Sequence, residues 1–169
     1  MAGISNRGEW FAIQTRPNLE QTVSKALEMK GFDSFVPTYK EPRSWSDRVK
    51  MLNLPLFPGY VFWRTDGGRT LPALTTPGVR SIVSFGRVPA PIPDSEIESV
   101  RRFISSDLNV KPWPFLRIGQ TVRVEKGPLA GLDGILEEFK GTYRVVVSIS
   151  LLQRSIAAEV DGSWLRPAS

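Results

Sequence analysis

Leu56-Phe57-Pro58-Gly59-Tyr60-Val61-Phe62-Trp63-Arg64 is the stretch that decides how the first half of this chain folds. From Tyr60 onward it reads as a strand, in which side chains two apart share a face. Tyr60 and Phe62 then point one way, Val61 and Trp63 the other. A strand apolar on both faces needs cover on both. The domain's own helices supply one cover, and either a further helix or a partner supplies the other. From the residues alone, Phe57, Tyr60 and Phe62 read equally well as core or as a docking site.

Working outward, Glu9 to Gln14 reads as a strand. Pro17-Asn18 opens a helix, with Asn18 and Gln21 at capping-box spacing. Leu19, Val23, Ala26 and Leu27 recur on one helical face, and Gly31 ends it. Phe32 to Pro37 is a short strand, and polar, basic Thr38 to Lys50 is a loop or hairpin arm. Beyond Tyr60–Arg64, a helix-like stretch reaches Leu74 and Val79 to Val83 is a strand. Ser95 and Glu98 have capping-box spacing at the start of a last helix carrying Ile97, Val100 and Ile104 on one face. The order β-α-β-β-α-β-α, with an inserted arm, is that of a ferredoxin-like α/β sandwich.

The pattern changes near residue 110. Two prolines bracket Trp113 and favour an extended path. After it the apolar period is almost wholly two: Thr121 to Val124, Ile135 to Phe139, Tyr143 to Ile149, and Ile156 to Val160. Lys140-Gly141 and Asp161-Gly162 are turns, and Gly127 and Gly131 read as turn glycines with positive φ. About five short strands in so few residues indicate a small β-barrel, since closure removes exposed edges. The fold class is therefore α+β: an N-terminal domain over 1–106, a linker over 107–116 and a barrel over 117–169.

Composition narrows the function. The 169 residues contain neither histidine nor cysteine, which removes the imidazole base, the thiolate nucleophile and the usual zinc ligands. No catalytic residue, metal or cofactor is expected, and the chain reads as a non-enzyme. A carboxylate-dependent nuclease is the enzyme rival. No apolar run reaches the length of a membrane span, and the start lacks the apolar core of a secretion signal; a cytoplasmic monomer without membrane partners is expected. The net charge of +5 divides as 14 basic and 11 acidic groups in residues 1–110 and 8 and 6 in 111–169. Neither part is a polybasic arm, so nucleic-acid contact is expected to be supplementary.

Several stretches resemble one family. Trp10 to Gln14, Phe35 to Thr38, Leu56 to Phe62, Thr76 to Val79 and Pro89 to Ile92 resemble, in order, the N-terminal domain of the NusG transcription factors. Gly119 to Val124, Gly127 to Gly131 and Gly134-Ile135 resemble its KOW motif. A KOW motif alone also occurs in ribosomal proteins, so a ribosome- or RNA-associated protein of translation is the binding-module rival. The resemblance implies that the aromatics matching Phe57, Tyr60 and Phe62 receive the clamp helices of the largest RNA polymerase subunit, and it implies proximity to non-template DNA. Arg69 and Thr70 stand where RfaH-like members place base-reading residues, although the residue types match poorly and a solvated loop end is the plainer reading. Arg43, Arg48 and Lys50 line the arm, where Trp45 either stacks on a base or pins the arm. Ser150 to Arg154 matches the loop that binds the termination factor Rho or a small-subunit ribosomal protein. Of Leu151 and Leu152, one is expected outside the barrel; together with Arg154 they are the expected partner residues. Leu152 and Gln153 stand where housekeeping members carry an aromatic and a glycine. That departure weakens the case for Rho and points to a specialised paralogue of the RfaH or capsule-operon kind. The β-branched strands favour a barrel with no helical alternative.

Overall fold

The computed structural model describes residues 8–66, 69–116 and 119–168. The chain divides into two compact units, residues 1–94 and 95–169.

The N-terminal unit is built on β1 (Glu9–Thr15), α1 (Glu20–Met29), β2 (Asp33–Phe35), the hairpin β3 (Thr38–Trp45) and β4 (Arg48–Pro55), β5 (Tyr60–Thr65), α2 (Leu71–Leu74) and β6 (Val79–Ile82). A small hairpin of β7 (Ser84–Phe85) and β8 (Val88–Pro89) follows. β2, β5, β1 and β6 form one antiparallel sheet in that order, with β5 inside it. In the register, Phe11 lies opposite Trp63 and Ile13 opposite Val61. Their shared face packs with Val23 and Leu27 of α1 into a buried core. The opposite face carries Trp10, Ala12 and Phe62, all buried. The two-sided apolar strand read from the sequence is therefore buried on both sides.

Helix α1 starts differently from expectation. Pro17 and Asn18 form the corners of a turn closed by the Leu19 N–H donating to the Arg16 carbonyl at 3.2 Å. Asn18 has φ 66°, as the third residue of a type II turn requires. It makes no cap, and the N-cap position is Leu19, without a side-chain bond. The helix ends as expected: Phe32 N–H reaches the Leu27 carbonyl and Gly31 N–H the Glu28 carbonyl, with Gly31 at φ 92°. That pair of bonds is a Schellman motif.

The C-terminal unit opens with α3 (Asp94–Ile104, from its second residue). Its buried residues are Ile97, Val100 and Phe103. Ile104, expected on that face, is exposed; the buried stripe runs at every third residue through Phe103, and residue 104 lies about 100° further round the helix. Then come β9 (Val110–Trp113), β10 (Thr121–Val124), β11 (Asp133–Phe139), β12 (Thr142–Ile149), β13 (Arg154–Val160) and β14 (Leu165–Pro167). They pair antiparallel in the order β14-β10-β11-β12-β13-β9. Part of the expected linker is thus an edge strand, with Trp113 opposite Ser155. Lys140 (φ 50°) and Gly141 (φ 80°) make the expected two-residue hairpin turn. Val145, Val146 and Val147 are all buried, so β12 departs from strict alternation.

The division falls before residue 110 because α3 is bonded to the turns of the strands that follow it. Arg102 donates to the carbonyls of Pro128 and Ala130 at 3.0 and 2.9 Å. The Glu96 carboxylate accepts the Ser150 N–H and hydroxyl at 3.2 and 3.0 Å.

Candidate functional site

The turn leading into β5 is tightly held. Leu56 N–H donates to the Pro37 carbonyl at 2.9 Å, and Tyr60 N–H to the Phe57 carbonyl at 3.1 Å. Gly59 has φ 85°, a conformation costly for any residue with a Cβ. Its carbonyl accepts the Thr15 N–H at 2.8 Å. Its own N–H donates to the carboxylate of Glu20, also at 2.8 Å. Glu20 is buried, and its bond spans 39 residues of sequence. Sequence reasoning missed this residue: an acidic group in a first helical turn has an ordinary explanation in the helix dipole.

The three expected docking aromatics do not behave alike. Phe57 and Phe62 are 1% and 0% exposed and meet edge to face at 5.3 Å. Phe62 also lies 5.5 Å from Phe35, and Phe35 is 5.6 Å from Trp10. The expectation that Phe57 and Phe62 present their rings is corrected: both faces of β5 are covered, with Phe62 buried on one and Val61 and Trp63 on the other. Tyr60, at its start, is half-buried, opposite Gln14.

The arm is a regular hairpin, longer than expected, reaching Pro55. Its register sets Arg43 opposite Lys50 and Trp45 opposite Arg48, and directly opposed residues share a face. Three of the expected nucleic-acid residues therefore stand together around Trp45. The Arg43 guanidinium also meets the Glu41 carboxylate at 3.1 Å. Arg69 and Thr70 stand on a separate element. The Arg69 guanidinium lies 5.3 Å from the centre of the Phe32 ring, and the Thr70 carbonyl accepts the N–H groups of Ala73 and Leu74 at the start of α2.

In the C-terminal unit, Ser150–Leu152 is a single helical turn ending at Gln153 with φ 50°. Leu152 is buried and Leu151 half-buried. Leu152 is thereby corrected as a partner residue, because its side chain belongs to the core that the turn covers. Arg154 is exposed at the start of β13, opposite Ile149. Asp133, bonded by Arg123 at 2.7 and 3.1 Å, is held below its ordinary carboxylate value, chiefly by that hydrogen bond. Asp161 is lowered by the N–H and hydroxyl of Ser163. Among the described residues, no group of three or more Asp or Glu side chains could hold a metal ion, and no helix is long and apolar enough to cross a membrane.

A solved structure described as "Domain interaction in Thermotoga maritima NusG" has a similar fold. That structure aligns with a TM-score of 0.57 at 22% identity, over 95% of this chain and 97% of that one. Residues 8–101 match the family model described as "Transcription termination factor nusG", and the chain belongs to the NusG family. The transcription termination/antitermination protein NusG of Helicobacter pylori strain J99 is 28% identical over 165 residues, covering 90% of this chain and 94% of that protein. Its counterpart in Pseudomonas aeruginosa is 27% identical over 168 residues, covering 91% and 95%. The chain is a NusG-like transcription termination/antitermination factor, and it is not an enzyme.

Proposed function

We propose that this chain rides on RNA polymerase by seating Tyr60 and the Pro58-Gly59 turn against the clamp helices of the largest subunit. The observation that carries this reading is the Glu20–Gly59 bond, which fixes the turn over a buried platform of Phe57 and Phe62. A rigid aromatic presented this way loses little conformational freedom on docking, and one such anchor can dominate an interface. The N-terminal unit then favours the elongating state over the paused one. A tenfold drop in the paused population requires a differential affinity of only about 1.4 kcal/mol. Arg69 and Thr70, with the cations of the arm, lie toward non-template DNA. The C-terminal unit recruits a second factor, Rho or a small-subunit ribosomal protein, through Leu151 and Arg154. The factor works in the cytoplasm as a monomer.

The test is single-round transcription with purified polymerase on a template bearing a strong pause. The wild-type chain changes pause dwell time, and folded Tyr60→Ala loses most of that effect. An unaltered effect in Tyr60→Ala would refute the docking assignment.

A further inference from the structure

The hairpin arm has two unlike faces. One carries Pro42, Ser44, Val49 and Met51; the other carries Glu41, Arg43, Trp45, Arg48, Lys50 and Leu52. On the second face Arg43 lies directly opposite Lys50, and like charges so placed destabilise a two-stranded ribbon. Glu41 offsets only one of the three cations. Among the described residues, neither Arg48 nor Lys50 has an ion-pair partner. Trp45 is 56% exposed and, among the described residues, has no ring or cation stacked on it. Repelling cations around a bare indole are explained by a ligand that supplies both negative charge and flat π-surfaces. Duplex nucleic acid and an acidic protein surface supply the charge without free base faces.

We infer that this face of the arm binds single-stranded nucleic acid, Trp45 stacking on an unpaired base while Arg43, Arg48 and Lys50 meet the neighbouring phosphates. The inference deepens the proposed nucleic-acid contact of the arm and is independent of how polymerase is held.

The test is fluorescence anisotropy of the full chain with labelled strands about 16 nucleotides long: oligothymidylate, oligouridylate, an abasic strand with the same phosphates, and a duplex. Wild type binds at least one of the two base-bearing strands about ten-fold more tightly than the abasic strand and the duplex, within the range one stacked base contributes. The stronger of the two identifies DNA or RNA as the source. Trp45→Ala removes that preference, and Trp45→Phe, which keeps a smaller ring, restores part of it. Arg48→Ala/Lys50→Ala lowers the slope of log affinity against log salt by about 1.4, at about 0.7 per cation on single strands. Equal binding of abasic, duplex and base-bearing strands overturns the inference, as does an undiminished preference in Trp45→Ala. In a parallel arm with immobilised polymerase, Trp45→Ala is retained like wild type. Absence of polymerase binding by wild type, with strand preference intact, counts against the polymerase reading and leaves this one standing.

Discussion

The carboxylate of Glu20, the first residue of α1, accepts the backbone N–H of Gly59 at 2.8 Å and so ties the first helix to the turn before β5. Glu20 is buried and Gly59 half-buried, so each group partly shields the other from water. Glu20→Ala leaves the Gly59 N–H without this acceptor, a loss of about 1–3 kcal/mol. Glu20→Gln retains an amide oxygen and loses less. Urea unfolding midpoints of the two variants, compared with wild type, measure the difference. Equal stability of wild type and Glu20→Ala would show that the bond does not hold the turn.

Phe62→Ala empties a site that is 0% exposed and contacts two other rings. The expected loss is about 3–5 kcal/mol, the usual cost of truncating a buried aromatic. Tyr60→Ala, two residues earlier and half-buried, costs less stability than Phe62→Ala. Paired thermal and urea melts check the order, and the opposite ranking would mean that Tyr60 is the core residue.

Gly127 lies at φ 84°, and a Cβ there would sit 2.9 Å from the Trp164 ring. Gly127→Ala combines left-handed strain of about 1–2 kcal/mol with displacement of that indole. A lower melting temperature and an altered near-ultraviolet circular dichroism signal are expected together. Gly131 has φ 91° but open space around it, so Gly131→Ala carries the strain without the ring displacement.

Asp133 and Asp161 are both held below the ordinary value of 3.8 in the folded chain. A lowered folded value means that the stabilisation is complete above the unfolded value and disappears as pH falls through the folded one. Stability should therefore hold steady down to about pH 4 and decline below it with contributions from these two groups. Asp161→Asn, which cannot ionise, should flatten part of that decline in urea midpoints measured against pH.

Much of the fold was readable because it rests on local period. The two-sided apolarity of Tyr60 to Trp63 marked a strand covered on both faces, and the alternation after residue 120 marked the strands of the second sheet. Local period could not say what covers the second face of β5, so Phe57 and Phe62 looked as much like a docking surface as core. Pro17-Asn18 has the composition of a helix start and of a type II turn, and only backbone geometry separates them. The clustering of Arg43, Trp45, Arg48 and Lys50 depends on the turn falling at Ser46-Asp47; a one-residue slip would put the two strands' side chains on different faces. The bonds from Glu20 to Gly59 and from Glu96 to Ser150 join residues 39 and 54 positions apart, and no pattern in the sequence connects them.

The most direct test of the central claim is retention of this chain on immobilised core RNA polymerase at moderate salt, wild type against Tyr60→Ala, with both shown to be folded. The account predicts retention of wild type and its loss in Tyr60→Ala. Failure of folded wild type to be retained would contradict it.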